Sequence, residues 1–380
     1  MIILNPQLGV SPKATTGGET YDRELLKQFI KLDVNTKILL PRQALAPEEL
    51  QRSIDRTLLS HFVPPYAFNL FAFPWVLKKI EGSDLSARSD PSEMALRIHS
   101  PEYLFPTAYL IKKLFPKLPI VAHYHLDQTG KLWTKMNNTL LNVVEAVIAD
   151  SEFLKKQLVD RVGVSEKKIS VIHCGVDVDS IKPKAYKGPT LNTQGRSLSH
   201  AKTILFLGRF IRRKRPDFVL EVFASLHKKH PDTKLVMVGE GPMEEKLRDQ
   251  SIKLKIQSAV EFPGPLFEED KLKRYHESDL FLFPSEKEGF VLVILEAMAA
   301  GLPLLVPNAL GFPEAVQHGK NGFLVGGNVA EWVKSAEAIL YNSSINKEMR
   351  RQSRKISIEK FSWKLCAQRN IDVYRQILRR

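Results

Sequence analysis

Pro284-Ser285-Glu286-Lys287-Glu288-Gly289-Phe290 runs without a break into Val291-Leu292-Val293-Ile294-Leu295-Glu296-Ala297-Met298-Ala299-Ala300-Gly301, and this stretch decides how the chain is read. Between Val291 and Ala300 the only ionisable side chain is Glu296. The Leu, Ile, Met and Ala content and the closing Gly301 predict a buried helix with a glycine stop. A buried carboxylate without a partner is costly, so Glu296 requires one. Glu288 lies eight residues earlier, which on a continuous helix is about 12 Å of rise and roughly 80° of rotation. The two acids therefore cannot share one proton or one metal. They suit two ends of one long ligand, Glu288 from a glycine-containing loop and Glu296 from the helix, with the amides of Gly289 to Leu292 between them. Amides at a helix N-terminus bind phosphate, and a sugar, a diphosphate and a ribose laid end to end fit that geometry.

At 380 residues the chain is long enough for about two domains. Its 43% hydrophobic and 26% charged residues are those of a globular protein in water. The opening Met1-Ile2-Ile3-Leu4-Asn5-Pro6 has no basic n-region and reads as a first strand, so no signal peptide is expected. The apolar stretch Phe290 to Pro307 contains Glu296, Gly301, Pro303 and Pro307, which argues against a membrane span. Two cysteines, Cys174 and Cys366, make neither a zinc pattern nor a disulfide framework, and a reducing cytoplasmic setting is expected. The net charge of +14 is concentrated in the second half, and Lys347 to Arg380 carries eleven basic against three acidic residues. Such a surface favours anionic partners: nucleotide sugars, anionic lipid headgroups or nucleic acid.

Short β-rich runs alternate with longer amphipathic segments in both halves, the pattern of doubly wound parallel sheets. Strands are expected at 2–4, 37–40, 95–99, 120–124, 146–149 and 169–172, and again at 203–207, 234–238, 260–262, 280–283, 304–306 and 323–325. Between the halves, 182–202 is rich in Lys, Pro, Gly, Ser and Thr and reads as linker. In such sheets ligands sit at the carboxyl ends of the strands, and the candidate residues follow strands. Gly208-Arg209-Phe210-Ile211-Arg212-Arg213-Lys214 is a strand end feeding a cation cluster suited to a diphosphate; a solvated basic loop is the alternative. Gly17-Gly18-Glu19-Thr20 and Gly239-Glu240-Gly241 either let backbone approach a phosphate or make simple turns. His123-Tyr124-His125 places two histidines on one face at a strand end, to line a polar cleft or to pack, with a metal pair disfavoured because the downstream histidines fall mostly in helical or loop segments. Asp177-Val178-Asp179 is a carboxylate pair read as hinge chemistry. The aromatic segment from Phe62 to Trp75, followed by Lys78-Lys79, is either core or a membrane-facing element.

Taken together these motifs resemble the retaining glycosyltransferases of family 4, the glycosyl transferases of group 1. The similarity is carried by Phe206-Leu207-Gly208-Arg209 with Lys214, Val238-Gly239-Glu240-Gly241-Pro242, Phe283-Pro284-Ser285, Glu288-Gly289-Phe290, Leu295-Glu296-Ala297-Met298-Ala299-Ala300-Gly301, Pro313-Glu314 and Asn321-Gly322-Phe323, in the family's order. Weaker echoes are Gly17-Gly18, His99-Ser100-Pro101, His125, Asp150-Ser151 and Gly175-Val176-Asp177. The resemblance implies a GT-B architecture: two α/β Rossmann-like domains facing across a cleft. The expected boundaries are 1–180 for the acceptor-binding domain, joined by a C-terminal helix over 362–380, then a linker at 181–202, and 203–361 for the nucleotide-sugar-binding domain. It further implies that Arg209 and Lys214 bind the donor diphosphate, with Gly18 also on the donor. Glu288 would bind the transferred sugar, Glu296 the ribose, and the amides of Gly289, Phe290, Val291 and Leu292 the distal phosphate. Leu266 would lie by the base. His125, with His123 as second choice, would stand near sugar and acceptor.

Members of the family generally transfer without a bound metal, so neither a metal nor a cofactor is expected. The donor would be a uridine or guanosine diphosphate sugar and the acceptor a glycan or lipid-linked hydroxyl, with peripheral contact to an anionic membrane and no nucleic-acid partner. Two positions depart from the family pattern: Arg215 stands where glycine usually follows the phosphate-site lysine, and Val291 where a small residue follows Glu-Gly-Phe. The rival readings are a sugar-nucleotide epimerase of the same fold, and a basic nucleic-acid-binding protein.

Overall fold

The computed structural model describes residues 1–7, 17–40, 46–57, 67–81, 93–99, 101–125, 131–183, 190–191, 197–198 and 201–379. It divides into two compact units, one formed by Met1–Gly175 with Trp363–Arg380 and the other by Val176–Ser362. Residues 176–202 thus group with the second unit, and within them Thr190–Leu191 and Ser197–Leu198 pair as a short antiparallel ladder. Phe62 to Tyr66 of the aromatic segment lie outside the described residues; Phe68, Ala72 and Trp75 are buried in the first unit's core.

In chain order the first unit's strands are β1 (Ile2–Pro6), β2 (Asn35–Leu40), β3 (Ile54–Thr57), β4 (Met94–His99), β5 (Ile120–Tyr124), β6 (Ala146–Ala149) and β7 (Ile169–Val171). They form one sheet in the order β3-β2-β1-β4-β5-β6-β7, every pair parallel. A parallel sheet is covered on both faces, so its central strands read as continuous apolar runs; all six residues of β4 are buried. The second unit follows the ladder pair β8 (Thr190–Leu191) and β9 (Ser197–Leu198) with β10 (Lys202–Leu207), β11 (Thr233–Val238), β12 (Val260–Gly264), β13 (Leu280–Leu282), β14 (Leu304–Pro307) and β15 (Gly322–Val325). Their order is β12-β11-β10-β13-β14-β15, again parallel throughout.

Each sheet reverses its winding once, between β1 and β4 in the first unit and between β10 and β13 in the second. Crevices for ligands open at the carboxyl ends of strands at such a reversal. In the second unit those ends deliver Gly208-Arg209 after β10 and Pro284 to Glu288 after β13. In the first, His99 stands at the end of β4. Phe206, Phe210 and Phe283 stack beneath the second crevice at 5.8–6.3 Å between ring centroids, all fully buried. Each such ring contributes roughly 1.5–3 kcal/mol of apolar burial, which gives the loops above it a rigid floor.

Candidate active site

The stretch after β13 forms the loop and helix that its composition predicts. Glu288 lies in the loop, helix Leu292–Ala299 follows, and Gly301 ends it at φ +80°. Glu296 is the fifth residue of that helix and has its partner: Lys271 Nζ lies 2.8 Å from Oε1 and the Tyr275 hydroxyl donates to Oε2 at 2.8 Å. Both partners stand one turn apart on helix Glu268–Glu277. Burial, reinforced by the Glu296 charge, pushes the Tyr275 phenol up and keeps it a donor. The N-terminus of Leu292–Ala299 has no side-chain cap; the Ile294 amide donates to the Val291 carbonyl at 3.2 Å, and among the described residues no side-chain oxygen caps the amides of Leu292 and Val293. Val291 is 9% exposed and extended, at the N-cap position.

Glu288 is held on three sides. It accepts from Ser285 Oγ at 2.6 Å and Arg213 at 3.1 Å, and it pairs with Lys214 at 2.5 Å. Lys214 Nζ also sits 4.8 Å over the Phe283 ring. Burial pushes the Lys214 ammonium down, Glu288 opposes this, and Arg213 and Arg209 add to it. Arg209 is exposed at the end of β10, and the structure gives it no ion pair among the described residues. The arrangement is two cations on one carboxylate, with Arg209 exposed at the end of β10 as a third positive charge, an excess suited to an anionic ligand. Arg215 takes a left-handed conformation, φ +53° and ψ +45°, which costs a residue with a Cβ about 1–2 kcal/mol. Its contacts to Glu286 at 2.6 Å and to the Phe218 ring at 4.6 Å offset part of that cost. The Gly239-Glu240-Gly241 turn serves packing: a Cβ on Gly239 would lie 2.0 Å from the Gly208 carbonyl oxygen, and one on Gly241 2.6 Å from that of Phe210. Leu266, just past β12, is half-buried.

In the first unit, His125 and Gly18 meet a network that the sequence did not announce. Arg97 is fully buried and reaches Asp22 Oδ1 at 2.6 Å. Gln7, with its amide turned to donate to Asp22 Oδ2 and accept from Arg97, completes the pair. Burial alone would raise the Asp22 carboxyl, but Arg97 and His99 outweigh it and hold it below the usual carboxylate range. His99 Nδ1 lies 2.9 Å from the same Asp22 oxygen, and its Nε2 faces Gly18, where an added Cβ would stand 3.3 Å away. The His99 ring stacks on His125 at 4.7 Å. His125 Nδ1 in turn lies 3.4 Å from Asp150 Oδ2. Burial pushes His125 down despite Asp150, and pushes His123, beside Arg97, far down. His123 is enclosed among Arg97, Tyr21 and Tyr374, whereas the His125 side chain keeps 17% exposure. The Asp177 carboxylate accepts from the amides of Asp179 and Ser180 and from the Ser180 hydroxyl, a turn-capping role.

Comparison with known proteins agrees with this architecture. The family model described as Glycosyltransferase Family 4 matches residues 15–180, and the one described as Glycosyl transferases group 1 matches 192–356. Glycogen synthase of Mycobacterium tuberculosis is 27% identical over 310 residues, 78% of this chain and 71% of that protein. D-inositol 3-phosphate glycosyltransferase of Corynebacterium kroppenstedtii is 28% identical over 63% of this chain and 55% of its own. Among solved structures, a glycosyltransferase from Rickettsia africae superposes with a TM-score of 0.76 at 21% identity, covering 99% of this chain and 98% of that one. HepE of Anabaena, solved with UDP and glucose, gives 0.75 at 19% identity, covering 99% and 100%. With family 4 matched over the first unit, group 1 over the second, and the GT-B fold over nearly the whole length, the chain is a glycosyltransferase of family 4.

Proposed function

We propose that this glycosyltransferase takes a sugar from a nucleoside diphosphate donor and passes it to a hydroxyl acceptor with retention of anomeric configuration and without a bound metal. The observation that carries the reading is the cation cluster around Glu288 at the winding reversal of the second sheet, with an uncapped helix N-terminus directly after it. Cleaving an anomeric bond to a diphosphate builds negative charge on the leaving oxygen. Fixed cations and helix amides aimed at that charge stabilise the transition state. In this reading Arg209, Lys214 and the amides of Gly289 to Leu292 receive the diphosphate, which competes with Glu288 for Lys214. Glu288, released in part, turns to the sugar. Glu296 accepts from the ribose, and Leu266 lies by the base. His125, kept neutral by burial, serves the acceptor side of the reaction, and Gly18 remains a donor contact.

The UDP and UDP-glucose in the HepE structures favour a uridine donor. The basic excess of the second half is consistent with a lipid-linked or otherwise anionic acceptor held at a membrane surface, and no described helix is long and apolar enough to cross a membrane. A thermal-shift panel of nucleotide sugars tests the donor half: at least one uridine or guanosine diphosphate sugar raises the melting temperature. A panel with no shift rejects it. Donor consumed without acceptor, giving a free epimerised sugar, would instead identify an epimerase.

A further inference from the structure

The ends of three successive strands in the first unit bring a nitrogen, an oxygen and a sulfur ligand together. His125 follows β5, Asp150 follows β6, and Cys174 comes three residues after β7. One ligand atom from each lies within 4.8 Å of the others. Asp150 and Cys174 are 1% and 3% exposed. The 3.4 Å between His125 Nδ1 and Asp150 Oδ2 is long for a hydrogen bond. It matches the edge of a tetrahedron whose centre lies about 2.0–2.1 Å from each atom, the distance of zinc from nitrogen and oxygen ligands. The other ring nitrogen, Nε2, is enclosed and has no hydrogen-bond partner among the described residues. The ring is therefore not committed to another partner through that atom. Zinc–sulfur bonds of about 2.3 Å require the thiol to approach by roughly 1 Å, a side-chain rotation.

We propose that His125, Asp150 and Cys174 form a zinc-binding site, and that zinc bound there inhibits transfer by withdrawing His125 from the acceptor. A nitrogen, oxygen and sulfur set selects zinc over magnesium or calcium, which prefer all-oxygen shells. Three protein ligands leave a fourth position for water. On binding, the Cys174 S–H bond breaks, the S–Zn bond forms and the proton passes to solvent, with no change of oxidation state. The charged and titratable neighbours are His99, stacked on His125, Tyr21, with its ring 4.3 Å from that of His125, His123 at 6.4 Å, the Cys366 thiol near Cys174, and the Asp22–Arg97 pair. The site belongs to the first unit and takes no part in holding the donor diphosphate. Its inhibitory effect rests on the role proposed for His125, whereas the binding of metal does not.

Cobalt(II) added to the full chain is the spectroscopic probe. A thiolate-to-cobalt charge-transfer band in the near ultraviolet is expected in the wild type and in Cys366→Ser. It should be absent from Cys174→Ser and be abolished by added zinc. Asp150→Asn should weaken cobalt binding by about tenfold or more. In the activity arm, zinc inhibits the wild type, EDTA reverses this, and magnesium has no such effect. Cys174→Ser retains the basal rate and escapes inhibition. No thiolate band in the wild type, or a band that follows Cys366 instead, overturns the site. A band with undiminished transfer overturns the inhibition. Should the chain prove to transfer no sugar, the cobalt spectrum still decides the site, so the two failures are distinguishable.

Discussion

Glu296→Gln isolates the ribose contact. The carboxylate interacts with Lys271 through one oxygen and accepts from Tyr275 through the other, each at 2.8 Å. A carboxylate oxygen has two lone-pair sites, so one remains on each for the vicinal hydroxyls of a ribose. A hydrogen bond to a charged group is worth about 1.5–3 kcal/mol, which is roughly 10- to 150-fold in affinity. Glutamine loses the charge and turns an NH2 toward Lys271 or Tyr275. The fold should survive: the Lys271 side chain keeps 27% exposure and can return to water, while Tyr275 retains the Val293 carbonyl at 3.3 Å. The stability cost is therefore about 1 kcal/mol. The assay is calorimetric titration of both proteins with UDP and with its 2′-deoxy and 3′-deoxy analogues. Wild type should lose about 10- to 150-fold for the hydroxyl that Glu296 holds, and the variant should lose little, a coupling of about 1.5–3 kcal/mol. Equal losses in the two proteins would refute the assignment.

Three further outcomes are expected. Glu288→Ala leaves the enclosed Lys214 without its counter-charge, while the more exposed Arg213 can return to water, and should lower stability by about 1–3 kcal/mol as well as abolish transfer; Glu288→Gln removes the same charge but keeps the packing and should be inactive with a smaller loss of stability; an Ala variant as stable as wild type would show that the pairing is weak. Asp22→Ala leaves the fully buried Arg97 uncompensated, at about 3–5 kcal/mol, and calorimetry should show the first unit melting about 6–20 °C lower; a drop below about 2 °C would contradict the buried pair. His123 and His125 are both pushed below their ordinary range by burial, so the unfolded chain takes up protons that the folded unit refuses. Their contribution is complete above about pH 6.5 and is lost as pH falls below it, by up to about 1.4 kcal/mol per pH unit for each ring; a melting temperature unchanged between pH 7.5 and 5.5 would contradict this.

The central strands were legible because strands buried on both faces are written as uninterrupted apolar runs, as in Ala146 to Ala149 or Leu235 to Val238. The edge strand Ile54–Thr57 carries one apolar residue in four and gives no such signal. That an acid inside an apolar helix needs a partner was readable, although Glu296 keeps 16% exposure, but the identity of the partner was not. Lys271 and Tyr275 stand 25 and 21 residues earlier on a different helix, and only the fold brings them near. The same holds for Asp22 and Arg97, which are 75 residues apart. Arg213 was visible as one of a run of cations, yet its choice of Glu288 depends on the turn Arg212–Lys214, whose direction local pattern does not fix.

The most direct test of the whole account is the configuration of the sugar the enzyme first releases or transfers, followed by proton NMR of the anomeric centre with an α-linked uridine diphosphate sugar as donor and EDTA present throughout. The account predicts an α product formed at full rate. A β product, or a reaction that stops without added divalent metal, would contradict it.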